Sequence, residues 1–506
     1  MVTPLTPAEE RGLSGLSLDS RVRQAFFAIP PQTLAELAER MTEEAFKRKL
    51  IYLRDGEAEA IRVLLRPTGI MPDQLAYLHF VSLTLINAVK RLPDLYVQDF
   101  AVREAVPLTP PEEKWLWDNW GPGHREMNPV IGRLDAVIDF TSPMWKDSLS
   151  FMEPNLSGVG GLHLIPTCEQ LLADVVLPVM LAHDPQLRME VGQDLREMFI
   201  QEVLDHLEAI GRAGRNLCFV EPKYAGDGPA EQAALAEYYH ERHGLTILHA
   251  DPAELYLKKG EVWYEDSVVD VGYRDYEVRD IIALEHDEGV DIRPLRALFK
   301  QNRIISSMAG DFDHKSCWEV LTDPQFTQKY FNADERQVFR RHVLWTRVLS
   351  DRRTTLPGGE TGDLLEFTRK EQDILVIKPN RSYGGDRVLL GPAVSRGEWE
   401  AAIEQAVSGD EHRHETVQEQ WVVQRLARIP VSEFPVAGAD GSMGMEPFYV
   451  VMGLAPTKYG LSILGRASQK MVVNVAQRGG MCGVLIGKPA GRLQGPGRED
   501  AAGVKS

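Results

Sequence analysis

Between Arg21 and about Leu95 the apolar residues recur at three- and four-residue intervals, as in LAELAERMTEEAFKRKL and YLHFVSLTLINAVKRL. That is the period of helices with one buried face, and it predicts a helical N-terminal segment over residues 1–110, its first twenty residues Thr-, Pro- and Ser-rich and loose. The tryptophans Trp115, Trp117 and Trp120 read as core or packing material. The period then drops to two: IGRLDAVIDF and LSFMEPN alternate as strands, followed by a glycine-rich turn, SGVGG. A long helical section is expected from about Cys168 to Ala213. Behind it NLCFVEP and LTILHAD read as strands around the helix PAEQAALAEYYHERHG, closed by glycine, and LYLKKGEVWYEDSVVDVGYRD as strands about a Lys-Gly turn. This middle part, residues 171–303, is expected to be a small doubly wound unit. From Ile304 the order is a helix near KSCWEVLTD, strand ILVIKP, a glycine loop, strand RVLLG, helix WEAAIEQAV, strands WVVQRL and FYVVMGLA, and finally VVNVAQRGG. The Gly- and Arg-rich residues 491–506 are expected to be disordered. The pattern predicts an α/β (α+β) fold.

Composition narrows the function classes. A length of 506 residues suggests roughly three domains, and 43% hydrophobic with 26% charged residues is ordinary for a globular chain. The net charge of −18 argues for solubility and against a partner that is nucleic acid. The four cysteines form no CxxC pair, so neither zinc nor a disulfide framework is indicated. No signal-like start and no run of about eighteen apolar residues is seen, which leads us to expect a cytoplasmic protein without a spanning helix. His240, His243, His412 and His414 lie in charged surroundings and read as surface residues; no Gly-x-Ser-x-Gly elbow suggests hydrolysis.

Lys378 ends the strand ILVIKP and precedes NRSYGGDRVLLG. A lysine there can pair with phosphates, and the backbone N–H groups at Gly384 and Gly385 can close over them; alone, such a loop is more often a hairpin turn. The strand WVVQRL can offer backbone groups to a flat heterocycle, or be a plain buried strand. Arg133 with Asp135, and Glu153 with Asn155, stand two apart on consecutive strands, so each pair shares a face. If those strands pair, three oxygen ligands suited to magnesium and one arginine converge; otherwise they form a salt-bridged sheet face.

In this order the segments resemble the circularly permuted ATP-grasp proteins and their relative glutathionylspermidine synthetase. The Arg-x-Asp and Glu-x-Asn strands come before the lysine-bearing part. VVDVGYRD is similar to the close of that group's Rossmann-like pre-grasp unit, NRIISSMAGDFDHKSCWEVL to its first-lysine helix start, VIKPNRSYGGDRVLLG to its second lysine and phosphate loop, WVVQRL to its adenine-side strand, and LSILGRASQKMVVNVAQRGG to its late arginine and Asn-Val-Ala ending. The resemblance implies an ATP-grasp domain in two parts, residues 111–170 and 304–490. It implies magnesium on Asp135, Glu153 and Asn155, and ATP on Lys315, Lys378, Ser382, Tyr383, Gly384, Gly385 and Gln424, with a lid around Tyr383 to Asp386. Arg133 and Arg466 would stabilise the transferred phosphoryl group, and Ser157 would donate to an acyl phosphate. The implied activity joins a small-molecule or peptide carboxylate to an amine; alternatives are a non-catalytic ATP-binding scaffold or sensor and a phosphoryl transferase. No membrane partner is implied, and a homodimer is possible. Two departures stand out. The insertion VIDFTSPMWKDSLSFM makes Asp139 a rival to Asp135 as ligand, and Leu-Ser-Gly-Val-Gly-Gly replaces the synthetase's stretch after its asparagine.

Overall fold

The computed structural model describes residues 17–158, 160–224, 227–382, 385, 387–408, 420–437, 442–471 and 479–488. It is a mixed α/β molecule whose three largest sheets include two antiparallel ones that line the site. The largest is antiparallel, with spatial order Gly480–Cys482, Gly460–Ser468, Met443–Thr457, Arg133–Val137 and Ser150–Asn155; Val431–Ala437 also pairs with Met443–Thr457. Strands separated by some three hundred residues of chain are therefore neighbours, with Gly453 directly across from Asp135.

The second sheet is parallel, in the order Ile304–Ile305, Val271–Arg274, Leu217–Val220, Ile247–Ala250. Every residue of Leu217–Val220 is buried, as an apolar run without alternation requires when both faces are covered. The helix Gln232–His243 connects two of its strands and ends on Gly244, whose φ of 62° is the left-handed conformation that glycine adopts without a Cβ clash. The third sheet is antiparallel: Thr346–Val348, Trp421–Arg425, Leu375–Pro379, Leu389–Leu390. It carries its own small core of Trp399, Ile403, Leu364, Ile377 and Val423. The largest apolar cluster, by contrast, runs from Leu64 to Ile486 and draws on all four of the expected segments between residues 1 and 490. The strand Val484–Gly487 pairs with Thr68–Ile70 and Met189–Glu190, stitching the late chain to the early helices.

Several expectations change. The N-terminal segment is helical over Leu18–Phe27, Pro31–Lys47, Pro72–Val89 and Leu92–Gln98, but a hairpin, Ile51–Arg54 with Glu57–Ala60, interrupts it. Its turn is Asp55-Gly56, both at positive φ (51° and 79°), the conformation a tight two-residue hairpin demands. The first helix begins inside the stretch expected to be loose, because the Ser17 hydroxyl accepts from Ser20 N–H and caps it. The helical section expected from about Cys168 to Ala213 consists of two helices, Leu164–His183 and Leu195–Ala209. Pro185 drives Asp184 out of the helical region, to φ −135° and ψ 90°. Leu164–His183 is long and apolar enough to cross a membrane by length and composition, contrary to the expectation of no spanning helix; its most apolar window is 67% buried within the protein, as in the core helix of a globular fold. Trp115 is fully buried, but Trp117 is half exposed. All four cysteines are free and buried. His412, His414, most of VVNVAQRGG and the tail from 491 lie outside the described residues.

Candidate functional site

The strands Arg133–Val137 and Ser150–Asn155 pair antiparallel, with Arg133 opposite Asn155 and Asp135 opposite Glu153. Alternation puts all four side chains on one face. Arg466 reaches that face from Gly460–Ser468. Asp135 is held from both sides: Arg133 Nε donates to Oδ1 at 3.1 Å and Arg466 Nη2 lies 2.6 Å from Oδ2. Burial would raise the Asp135 carboxyl, but Arg466 and Arg133 more than offset it and hold it below the usual carboxylate range. Gly453 makes the arrangement possible. A Cβ there would stand 2.3 Å from Arg133 Cδ, so only glycine leaves room for the arginine to lie across the neighbouring strand.

The third sheet faces this patch. Lys378, next to last in Leu375–Pro379, is buried, and burial pulls its ammonium down to about 8, with Glu153 partly restoring it and Lys315 opposing. Lys315 precedes the helix Cys317–Thr322; its Nζ donates to the Ser382 carbonyl at 2.6 Å and lies 3.4 Å from Glu153 Oε2. Gln424 Nε2 donates to Met152 O (2.9 Å) and Thr346 Oγ1 (2.8 Å), tying the small sheet to the large one. The strand of Gln424 is not an edge. It is paired on both sides, so its backbone is committed, and beyond Arg425 the chain lines the cleft through Leu426, Ala427 and Ile429.

Arg133, Asp135, Glu153, Asn155, Lys315, Lys378, Ser382, Gly385, Gln424 and Arg466 together line one cleft of about 330 Å³. Tyr383, Gly384 and Asp386, with the lid expected around them, lie outside the described residues. Asp139 does not line the cleft: its carboxylate accepts from Thr141 N (2.9 Å) and Oγ1 (2.6 Å) and closes a local turn. Ser157 does not line it either. Leu156 N–H bonds Asp313 Oδ2 at 2.9 Å, and the chain turns away, leaving Ser157 Oγ buried, without a hydrogen-bond partner, beside Gly310. The sequence reading missed the apolar wall of Val376, Leu390, Leu426, Ile429 and Val451. A signal existed for Val376, which stands two residues from Lys378 on the same strand and so shares its face.

Among the lining residues four cations, Arg133, Lys315, Lys378 and Arg466, face two carboxylates, Asp135 and Glu153. In a chain of net charge −18 the cleft is an island of excess positive charge, suited to a polyanion. Among the described residues no three His, Cys, Asp or Glu side chains gather to hold a metal. The trio Asp135, Glu153 and Asn155 offers hard oxygen donors, and an ion there would need further oxygens from a ligand.

A glutathione synthetase-like effector from Globodera pallida, solved in its apo form, is similar to the chain with a TM-score of 0.60 and 11% identity, over 90% of this chain and 97% of that one. The two share a glutathione synthetase-like fold. No family model and no curated protein matches the sequence.

Proposed function

We propose that the cleft binds ATP with magnesium and activates a carboxylate, as an acyl phosphate, for attack by an amine. The observation that carries this is a cleft of excess positive charge in an otherwise acidic protein, lined by residues of two antiparallel sheets and by apolar side chains. In this reading the fold is an ATP-grasp of circularly permuted order, and the parallel sheet is its Rossmann-like pre-grasp unit. The wall formed by Val376, Leu390, Leu426 and Ile429 takes the base. Lys315 and Lys378 take the phosphates. Asp135, Glu153 and Asn155 would hold the ion, which when bound neutralises charge between phosphate oxygens. Arg133 and Arg466, fixed by their shared carboxylate, are aimed for charge that develops on a transferred phosphoryl group. These residues act by position and charge, with no covalent step on the protein.

The test is nucleotide binding followed by ADP release on adding candidate acids and amines. Glu153→Ala should abolish metal-dependent release; unchanged turnover would sink the metal assignment. A second reading, a nucleotide-binding protein that does not ligate, is favoured by Ser157, whose hydroxyl lies away from the cleft, and agrees with the similar structure being described as an effector. Tight nucleotide binding without ADP release for any acid and amine pair would support it.

A further inference from the structure

Asn380, Arg381 and Ser382 carry the chain from the Lys378 strand along the cleft, and of the three only Ser382 lines it. Separate stretches of chain converge on this short segment. From the start of the Cys317–Thr322 helix, Lys315 N–H donates to Asn380 O at 3.1 Å and Ser316 N–H to Asn380 Oδ1 at 2.9 Å, while Asn380 Nδ2 donates to Ser316 Oγ at 3.0 Å. Lys315 Nζ holds the Ser382 carbonyl. Between them the Arg381 guanidinium points away from the cleft into two buried carboxylates. It donates to Glu112 at 2.8 and 3.1 Å and to Glu277 at 2.5 Å. Glu112 belongs to the helix Pro110–Asn119, and Glu277 caps the helix Val278–Asp287, which follows a strand of the parallel sheet. Arg279 adds a clasp, pairing with Glu277 at 2.8 Å and donating to the Arg381 carbonyl at 3.0 Å.

We propose that Arg381 is a positioning residue: clamped between Glu112 and Glu277, it fixes the segment after Lys378 so that Lys315, Lys378 and Ser382 are set for a triphosphate before one arrives. The inference rests on the nucleotide reading of the cleft. Glu112 is 1% exposed and Glu277 4%, so both carboxylates need their partner, and the guanidinium's fixed fork gives Glu112 two bonds while reaching Glu277, a geometry that the compact ammonium of a lysine does not reproduce. The clamp makes phosphate binding depend on two helices that do not line the cleft. Its benefit is preorganisation: a segment already fixed loses little freedom when the ligand binds.

Glu112→Gln separates this role from a structural one. Glu112 also closes a capping box, accepting from Thr109 N–H at 2.8 Å, and glutamine preserves that box while removing the charge. Displacement of a fluorescent ATP analogue by ATP, ADP and adenosine, with magnesium and full-length protein, measures the effect. For Glu112→Gln and for Arg381→Lys, ATP and ADP should weaken about tenfold, within the range of couplings between distinct sites, while adenosine and the number of sites per chain stay unchanged. Equal constants in variants and unaltered protein would overturn the inference alone. So would equal weakening of all three ligands with fewer sites per chain, which marks a general loss of structure. No binding by the unaltered protein would overturn the nucleotide reading and the inference with it.

Discussion

At the scale of single residues, Lys378 and Asp135 show how the cleft is poised. Asp135 is kept charged by two arginines, whereas Lys378 is buried with too little opposing charge and sits near 8. A polyanion favours the charged ammonium and raises its pKa, so nucleotide binding at pH 8–9 should take up a proton, and affinity should fall as pH rises through 8. Calorimetry in buffers of different ionisation enthalpy will show the uptake, and Lys378→Met should remove it. The same group acts oppositely on stability. Its folded pKa lies below the ordinary lysine value of about 10.4, so the unfolded chain binds more protons between those values, and this group's contribution to stability rises with pH across that window. The residues themselves were legible, since spacing of two on consecutive strands named Arg133, Asp135, Glu153 and Asn155. What spacing could not tell is where a side chain points once the strand ends. Ser157, which the resemblance implies, and Asp139, which the insertion makes a rival ligand, both lie past a strand end, and the structure turns both elsewhere.

Among elements, the strand Met443–Thr457 does the most. It joins the early pair of strands to the late ones, and Gly453 lets Arg133 pass over it. Gly453→Ala should displace Arg133, at a cost of about 1–3 kcal/mol for overpacking, and weaken nucleotide binding while the chain still folds. Chemical denaturation and a binding titration measure the two effects. Unchanged values for both would mean that Arg133 has an alternative path. Strands and helices with one clean period were readable, as were Gly244 as a stop and the Lys-Gly turn. The Asp55-Gly56 hairpin was also written in the chain, as a two-residue turn signal between short runs, but the helical period on either side masked it. The break at Asp184 was marked by Pro185 in the same way.

For the whole molecule, the central fact is that the large sheet is assembled from two distant stretches, residues 133–155 and 431–482, with the parallel sheet's segment inserted between them. A fragment of residues 304–506 would leave Met443–Thr457 with one of its ladders unpaired and part of the Leu64 to Ile486 core exposed. It should show no cooperative unfolding transition alone and recover one when co-expressed with residues 1–303; far-UV circular dichroism during denaturation decides this. The sequence by itself determined the kinds of elements, their order and the residue types that carry charge, because periodicity, turn chemistry and spacing are local properties of the chain. Tertiary structure alone decided that two arginines share Asp135, that Lys315 bridges Glu153 and Ser382, and that Arg381 is clamped between two distant helices. Those contacts join residues far apart in sequence, and only the packing of sheets and helices into one core sets which of them meet.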